Sequence, residues 1–255
     1  SAEVATAIAE QYEPVSQTQP GMALALADRL DSLMGLFAAG LAPKGSNDPF
    51  ALRRAAIQLI ENLVGNEQPF DLRAALLATQ ALLPVESDEK AVASVQAFIT
   101  GRLEAMLRDE GLGASVVMAV LAEQANNPFA AQKTAALLNE AVKAEGWDSV
   151  LDAYARCVRI TRKQTTQFAL RPADFGVHAE QQLAVAYQAA ADQQDGSLAT
   201  LLKTLQALVP AITQFFDDVL VMDEDTAVRE NRLALLQHIA NLTTGIVDLS
   251  LLEGF

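Results

Sequence analysis

From Ser197 to Val219, apolar side chains return at every third or fourth residue: Leu198, Leu201, Leu202, Leu205, Leu208, Val209, Ile212, Phe215, Phe216 and Val219. That spacing puts them on one face of a helix of about six turns, which the two-residue alternation of a strand cannot do. Pro210 falls inside the run and is expected to kink it. The same spacing follows Asp48-Pro49, read as an N-cap with proline at the first helical position. It passes through Leu52, Ala56, Leu59, Ile60, Leu63 and Val64 to an expected stop at Gly65. A third helix opens after Asp225 and is expected to carry Leu235, Ile239, Leu242, Ile246 and Leu249 on one face. Further helices are expected over 2–12, 21–40, 70–83, 88–109, 114–125, 129–144, 147–163 and 177–191. Turn signals such as Lys44-Gly45-Ser46-Asn47 and Asn126-Asn127-Pro128 separate them. Residues 164–174 form the longest expected loop after residue 50, and no repeat of fixed period is visible. The fold class is all-α, built of helical bundles.

Composition narrows the functional classes. With 51% hydrophobic and 20% charged residues, the chain is not intrinsically disordered. No apolar run approaches the roughly 18 residues of a membrane span. Glu3 and Glu10 stand where a signal peptide needs basic residues. The single cysteine, Cys157, excludes a disulfide framework and fits a reducing compartment. A start at Ser1 points to a processed or excised piece of a soluble, intracellular protein.

Catalytic signatures are missing. There is no phosphate-binding Gly-x-x-x-x-Gly-Lys loop, and Gly111-Leu-Gly113 follows a helix rather than a strand. His178 and His238 lie far apart and read as surface or packing residues. With one cysteine they cannot make a Cys/His zinc site. Arg156 and Arg159 flank Cys157 and would favour its thiolate. No histidine is near it in sequence, so a packed helix thiol is the reading. Asp223-Glu224-Asp225 reads as the cap of the following helix rather than a cation site. No catalytic, metal-binding or cofactor-binding residue is assigned.

The net charge of −14 argues against general affinity for nucleic acid. Residues 1–145 hold 10 basic and 18 acidic side chains, and the rest hold 8 and 14, so neither part is basic. Any RNA contact therefore needs a local cluster, and one exists. Arg156, Arg159, Arg162, Lys163 and Arg171 occupy a stretch without a single acid between Asp152 and Asp174. Arg156, Arg159 and Lys163 fall at i, i+3 and i+7 on the expected helix, so they share one face. Tyr154, Phe168 and Phe175 flank the cluster. Phe168, on the loop, is the candidate for stacking an unpaired base, whereas Tyr154 and Phe175 are expected in the core. A solvated helix face is the alternative reading of the same charges.

Three segments carry a family resemblance. The first joins Leu26-Ala-Asp28-Arg-Leu-Asp31-Ser-Leu-Met-Gly35-Leu-Phe37 to Pro43-Lys-Gly-Ser-Asn-Asp-Pro-Phe50-Ala-Leu-Arg-Arg54. The second is Phe98-Ile-Thr-Gly-Arg102-Leu with Arg108-Asp-Glu-Gly111, and the third is Phe215-Phe-Asp-Asp-Val-Leu-Val-Met222-Asp-Glu-Asp225 followed by Arg229-Glu-Asn-Arg232-Leu-Ala-Leu-Leu236. Together, and in order from about residue 3 to 252, they resemble the C-terminal part of the β subunit of bacterial glycyl-tRNA synthetase.

The resemblance implies three parts: the end of an HD-like helical domain over 1–64, a helical connector over 65–145, and an anticodon-binding, DALR-like helical domain over 146–255. It implies a noncatalytic, cytoplasmic, tRNA(Gly)-binding fragment that uses no cofactor itself. The α subunit would hold the ATP-dependent aminoacylation site, and the partners would be tRNA(Gly), that α subunit and the remainder of β, with no membrane or DNA. Asp28 resembles the last metal-binding aspartate of HD phosphohydrolases, but no histidine precedes residue 178. A structural role, paired with Arg29 or across the bundle, is expected instead. A helical protein-interaction scaffold is the second reading, and an HD-type metal-dependent phosphohydrolase fragment the third.

Overall fold

Helix takes up 69% of the chain, and no strand occurs among the described residues. The computed structural model describes residues 1–85 and 87–255. They divide into two compact units, Ser1–Ala135 and Ala136–Phe255, with the division falling inside the seventh helix.

The first unit contains α1 (Ala2–Glu10), α2 (Gln19–Ala38), α3 (Leu52–Gly65), α4 (Leu72–Leu82), α5 (Glu89–Asp109), α6 (Ala114–Gln124) and most of α7 (Pro128–Ala141). α2 is central, with α1, α3, α4 and α5 packed on it. The three-four spacing of α3 does what the sequence predicts: Leu52, Ala56, Leu59, Ile60 and Leu63 are all fully buried. Its start differs from expectation. Asp48 is not the N-cap; Ala51 is, in a left-handed conformation at φ 54°. The Asp48 carboxylate reaches forward instead and accepts from the backbone N–H of Leu52 and of Arg53, each at 2.9 Å. One side chain thus satisfies two of the helix's orphan donors.

Gly65 is the last residue of α3 rather than the residue that stops it. It is needed because the chain crosses over it: a Cβ there would sit 2.6 Å from Cγ2 and 2.9 Å from Cγ1 of Val15. The crossing segment is pinned by buried Asn62, whose Oδ1 accepts from Ser16 N–H at 3.0 Å and whose Nδ2 donates to Pro14 O at 3.1 Å. Overpacking of this kind typically costs about 1–3 kcal/mol. Gly65→Ala should lower the stability of residues 1–135 by about that much in urea unfolding, and Val15→Ala combined with it should recover most of the loss.

A second tie joins α4 to the α6–α7 turn. Asp71 caps α4 by accepting from Ala74 N–H at 2.9 Å, and Asn126 Nδ2 donates to the same carboxylate at 2.7 Å. These bonds, the helix N–H first and the Asn126 amide next, hold the Asp71 carboxyl below its ordinary value. A depressed folded pKa adds stability that is present above the unfolded value of about 3.9 and is lost as pH falls through the folded one. Thermal melts should therefore decline on acidification below about pH 4. Asp71→Asn should flatten that dependence, and an unaltered pH profile would remove Asp71 from the account.

The second unit is built from α8 (Trp147–Thr161), α9 (His178–Gln193), α10 (Leu198–Asp218) and α11 (Thr226–Ala240). α8 packs on α10 and α11, and α9 packs on α10. Cys157, Leu183, Leu208, Ile212, Phe215, Leu236 and Ile239 form its core. α10 is continuous from its Ser197 cap through Pro210 to Asp218. α11, capped by Asp225 as expected, ends earlier than the apolar spacing suggests. It stops at Ala240 and gives way to tight turns at Asn241–Thr243 and Leu249–Leu251, so Leu242, Ile246 and Leu249 are not on it. Ile246 and Leu249 are buried all the same.

Candidate nucleic-acid interface

α8 turns Val150, Leu151, Tyr154 and Cys157 into the core of the second unit and leaves its basic residues outside. The Tyr154 hydroxyl lies 2.9 Å from both Ala240 O and Thr243 Oγ1, which anchors the helix to the end of α11. Phe175 is buried in the same core, so both aromatics are structural, as the sequence predicts. Cys157 is fully buried, and burial pushes its thiol up to about 12, outweighing the neighbouring Arg156 guanidinium. It is a packing residue and not a nucleophile.

The basic residues are held in different ways. The Arg156 guanidinium lies over the Phe216 ring of α10, 4.4 Å from its centroid. That of Arg159 lies 5.5 Å from the Phe255 centroid and 3.9 Å from the Asp152 carboxylate. Each cation thus lies within cation–π range of an aromatic ring. α8 closes at Thr161, with Arg162 as its C-cap. Lys163 therefore stands in the turn beyond the helix, not on a shared helical face with Arg156 and Arg159. Arg162 and Lys163 are exposed and make no ion pair among the described residues. Arg171 pairs with Asp174 at 2.9 Å, both half exposed. Such a surface pair is weak and exchanges readily for another anion.

The loop between α8 and α9 is fixed by two amides of α11 that the sequence reading missed. Gln237 Oε1 accepts from Phe168 N–H at 3.0 Å while its Nε2 donates to Thr166 O at 2.8 Å. Asn231 Oδ1 accepts from Arg171 N–H at 2.8 Å and its Nδ2 donates to Arg171 O at 2.9 Å. Each side chain mimics a peptide unit, so the loop gains the pairing of a strand without being one. Both are buried, and the signal for Asn231 was present: it lies in phase with Leu235 and Ile239 on an otherwise apolar face. The Phe168 ring is half-buried and packs against the core of the unit.

Next to Asn231, Arg232 joins three elements. Its Nε donates to Glu180 Oε1 of α9 at 2.5 Å, and its NH1 donates to Asp223 Oδ2 at 2.7 Å and to Leu220 O at 2.9 Å. Asp223 is thereby explained as a structural partner, and Asp225 as the cap of α11, accepting from Ala227 N–H at 2.8 Å. His178 is exposed at the start of α9, and His238 is half-buried with its Nδ1 3.3 Å from the Tyr187 hydroxyl. Asp28 pairs with Arg29 at 3.0 Å, the structural role expected of it. Among the described residues no three His, Cys, Asp or Glu side chains are grouped to hold a metal ion.

Comparison with known proteins gives two matches that follow this division of the chain. Residues 1–122 match the family described as glycyl-tRNA synthetase beta subunit, and residues 150–249 match the DALR anticodon binding domain. Over nearly its whole length the chain is similar to glycyl-tRNA synthetase β subunits. The chloroplastic/mitochondrial glycine–tRNA ligase 2 of Arabidopsis thaliana is 38% identical over 245 residues, which cover 94% of this chain and 23% of that protein. The glycine–tRNA ligase beta subunit of Acinetobacter baumannii strain AYE is 34% identical over 266 residues, covering 99% of this chain and 39% of the relative. That of Shewanella sp. strain MR-4 is 34% identical over 264 residues, covering 98% and 38%. The chain thus spans less than two fifths of the length of these relatives. The DALR match falls on the unit that carries the basic face, the clamped loop and the Arg232 network.

Proposed function

We propose that this chain is the tRNA-binding, noncatalytic C-terminal part of a glycine–tRNA ligase β subunit. In this reading it holds tRNA(Gly) through the anticodon arm while the α subunit carries out ATP-dependent glycylation in the cytoplasm. The remainder of β completes the assembly. The observation that carries the reading is a coincidence of place: the anticodon-binding match covers the unit that concentrates exposed cations on a rigid helix and loop.

The chemistry follows from the geometry. Arg162 and Lys163 offer unpaired charge to phosphates, and Arg171 can exchange Asp174 for one. Arg156 and Arg159, held beside the Phe216 and Phe255 rings, can offer guanidinium N–H groups to phosphate or base acceptors. Phe168 offers the open side of its ring to an unstacked base. Because Gln237 and Asn231 hold the loop before RNA arrives, binding loses less conformational entropy. The acidic remainder of the chain repels RNA elsewhere and confines contact to this face.

Titration with tRNA(Gly) and with a tRNA of altered anticodon at three salt concentrations tests the reading. Expected are saturable binding, a linear fall of log affinity with log salt, and preference for the glycine anticodon. Equal, salt-insensitive binding of both tRNAs would refute it.

A further inference from the structure

The first unit holds a cavity of about 480 Å³ where the link after α1 meets α2 and α3. Its lining is chemically mixed. Tyr12 and Phe50 expose 73% and 48% of their surface, an unusual display for two aromatic rings beside one cavity. Arg29, only 3% exposed, lines the same cavity, with NH1 on the Asp28 carboxylate at 3.0 Å and NH2 on Gln58 Oε1 at 3.0 Å. The Arg29 guanidinium carbon stands 5.7 Å from the Tyr12 ring centroid. Arg54 lines the same cavity, is exposed, and makes no ion pair among the described residues. Its neighbour Arg53, by contrast, is taken up by Asp48 at 3.6 Å.

These groups sort by what they can recognise. Two flat apolar rings suit a planar heterocycle, and an open guanidinium suits a phosphate. The half-exposed Asp28 carboxylate, already held by Arg29, keeps acceptor capacity for sugar hydroxyls. Gln58 spends its carbonyl on Arg29, and its amide N–H groups have no partner among the described residues, so they are left to donate to a base edge. Two guanidiniums against one carboxylate leave the cavity positive in a chain of net charge −14. The volume is that of an ordinary small-ligand site.

We propose that this cavity binds a nucleotide unit (base, ribose and 5′-phosphate), free in solution or as an unpaired residue of an RNA strand. The base lies against Tyr12 and Phe50, the phosphate meets Arg54, and Asp28 takes the ribose hydroxyls. This site is independent of the basic face on α8 and concerns binding alone.

The test uses the whole chain with AMP, GMP, adenosine and inorganic phosphate as probes, followed by calorimetry. One mononucleotide should saturate a single site, with adenosine and phosphate each at least tenfold weaker. Tyr12→Ala with Phe50→Ala, and separately Arg54→Gln, should weaken it at least tenfold while leaving the thermal melt in place, since all three side chains are exposed. Neutralising Arg156, Arg159 and Lys163 should leave nucleotide affinity unchanged, so the two sites fail or succeed separately. Displacement of the nucleotide by tRNA(Gly), or loss of tRNA affinity in the Tyr12/Phe50 variant, assigns the cavity to an RNA strand. Nucleotide binding that tRNA does not displace assigns it to a free nucleotide. Phosphate binding as tightly as AMP would overturn the proposal, as would nucleotide binding indifferent to these substitutions. Absence of nucleotide binding together with unchanged tRNA binding in the Tyr12/Phe50 variant would overturn it too.

Discussion

Arg232→Met is expected to destabilise residues 136–255 by about 3–5 kcal/mol, the usual cost of removing one partner from a buried ion pair. The side chains of Arg232 and Glu180 are only 9% and 2% exposed, so the substitution strands a carboxylate away from water. The 219–225 loop loses its anchors as well, since Leu220 O and Asp223 both depend on Arg232. Adding Glu180→Leu should restore part of the stability, because two well-packed apolar side chains avoid the desolvation that an unpaired charge cannot escape. It should not restore all of it, because Glu180 also accepts from Val177 N–H at 2.8 Å at the start of α9. The lone tryptophan makes the measurement clean: Trp147 opens α8, is nearly buried, and reports unfolding of this unit by fluorescence in urea. An unmoved unfolding midpoint would mean that the network adds nothing to stability.

How far the sequence could be read depends on whether the signal was local. Apolar spacing located the helices because burial of one face is what makes a helix persist in a folded chain. The same signal overran α11, since it records burial and not backbone conformation. Ile246 and Leu249 stay in phase and stay buried although the chain has left the helix at Ala240. The cap of α3 was misplaced for a related reason. Aspartate before proline satisfies helix N–H groups equally well from one residue away or, as Asp48 does, from four. Within the candidate site, the basic residues were legible and their supports were not. Phe216 and Phe255 reach Arg156 and Arg159 from distant parts of the chain, and Gln237 reaches Phe168 across 69 residues. Nothing in a local window connects them. Lys163 shows the converse: a helical register carried two residues too far assigns a shared face that the turn after Thr161 does not provide.

Neutralising Arg156, Arg159 and Lys163 together to glutamine should weaken tRNA(Gly) binding on the order of 50-fold at 0.15 M salt. The figure follows from counterion release: three phosphate contacts to single-stranded RNA carry a log–log slope of about 2, which at that salt amounts to nearly two decades. The slope should fall by the same amount, and this separates lost phosphate contacts from a general loss of folding. Arg156→Lys should lie between, because it keeps the charge and gives up the guanidinium's contact with the Phe216 ring. Phe168→Ala should act differently, costing about 1–3 kcal/mol of affinity through a lost stacked base while leaving the slope nearly unchanged. Its half-buried ring also packs on the core, so its melting curve must be read beside its affinity. A fall in both thermal stability and affinity that a lower temperature reverses would make Phe168 a packing residue. A fall in affinity that persists where the fold is intact would make it a stacking platform. Unchanged affinity in the triple variant would move the RNA surface off α8 and its following turn, while the likeness to glycyl-tRNA synthetase β subunits, which rests on residues throughout the chain, would stand.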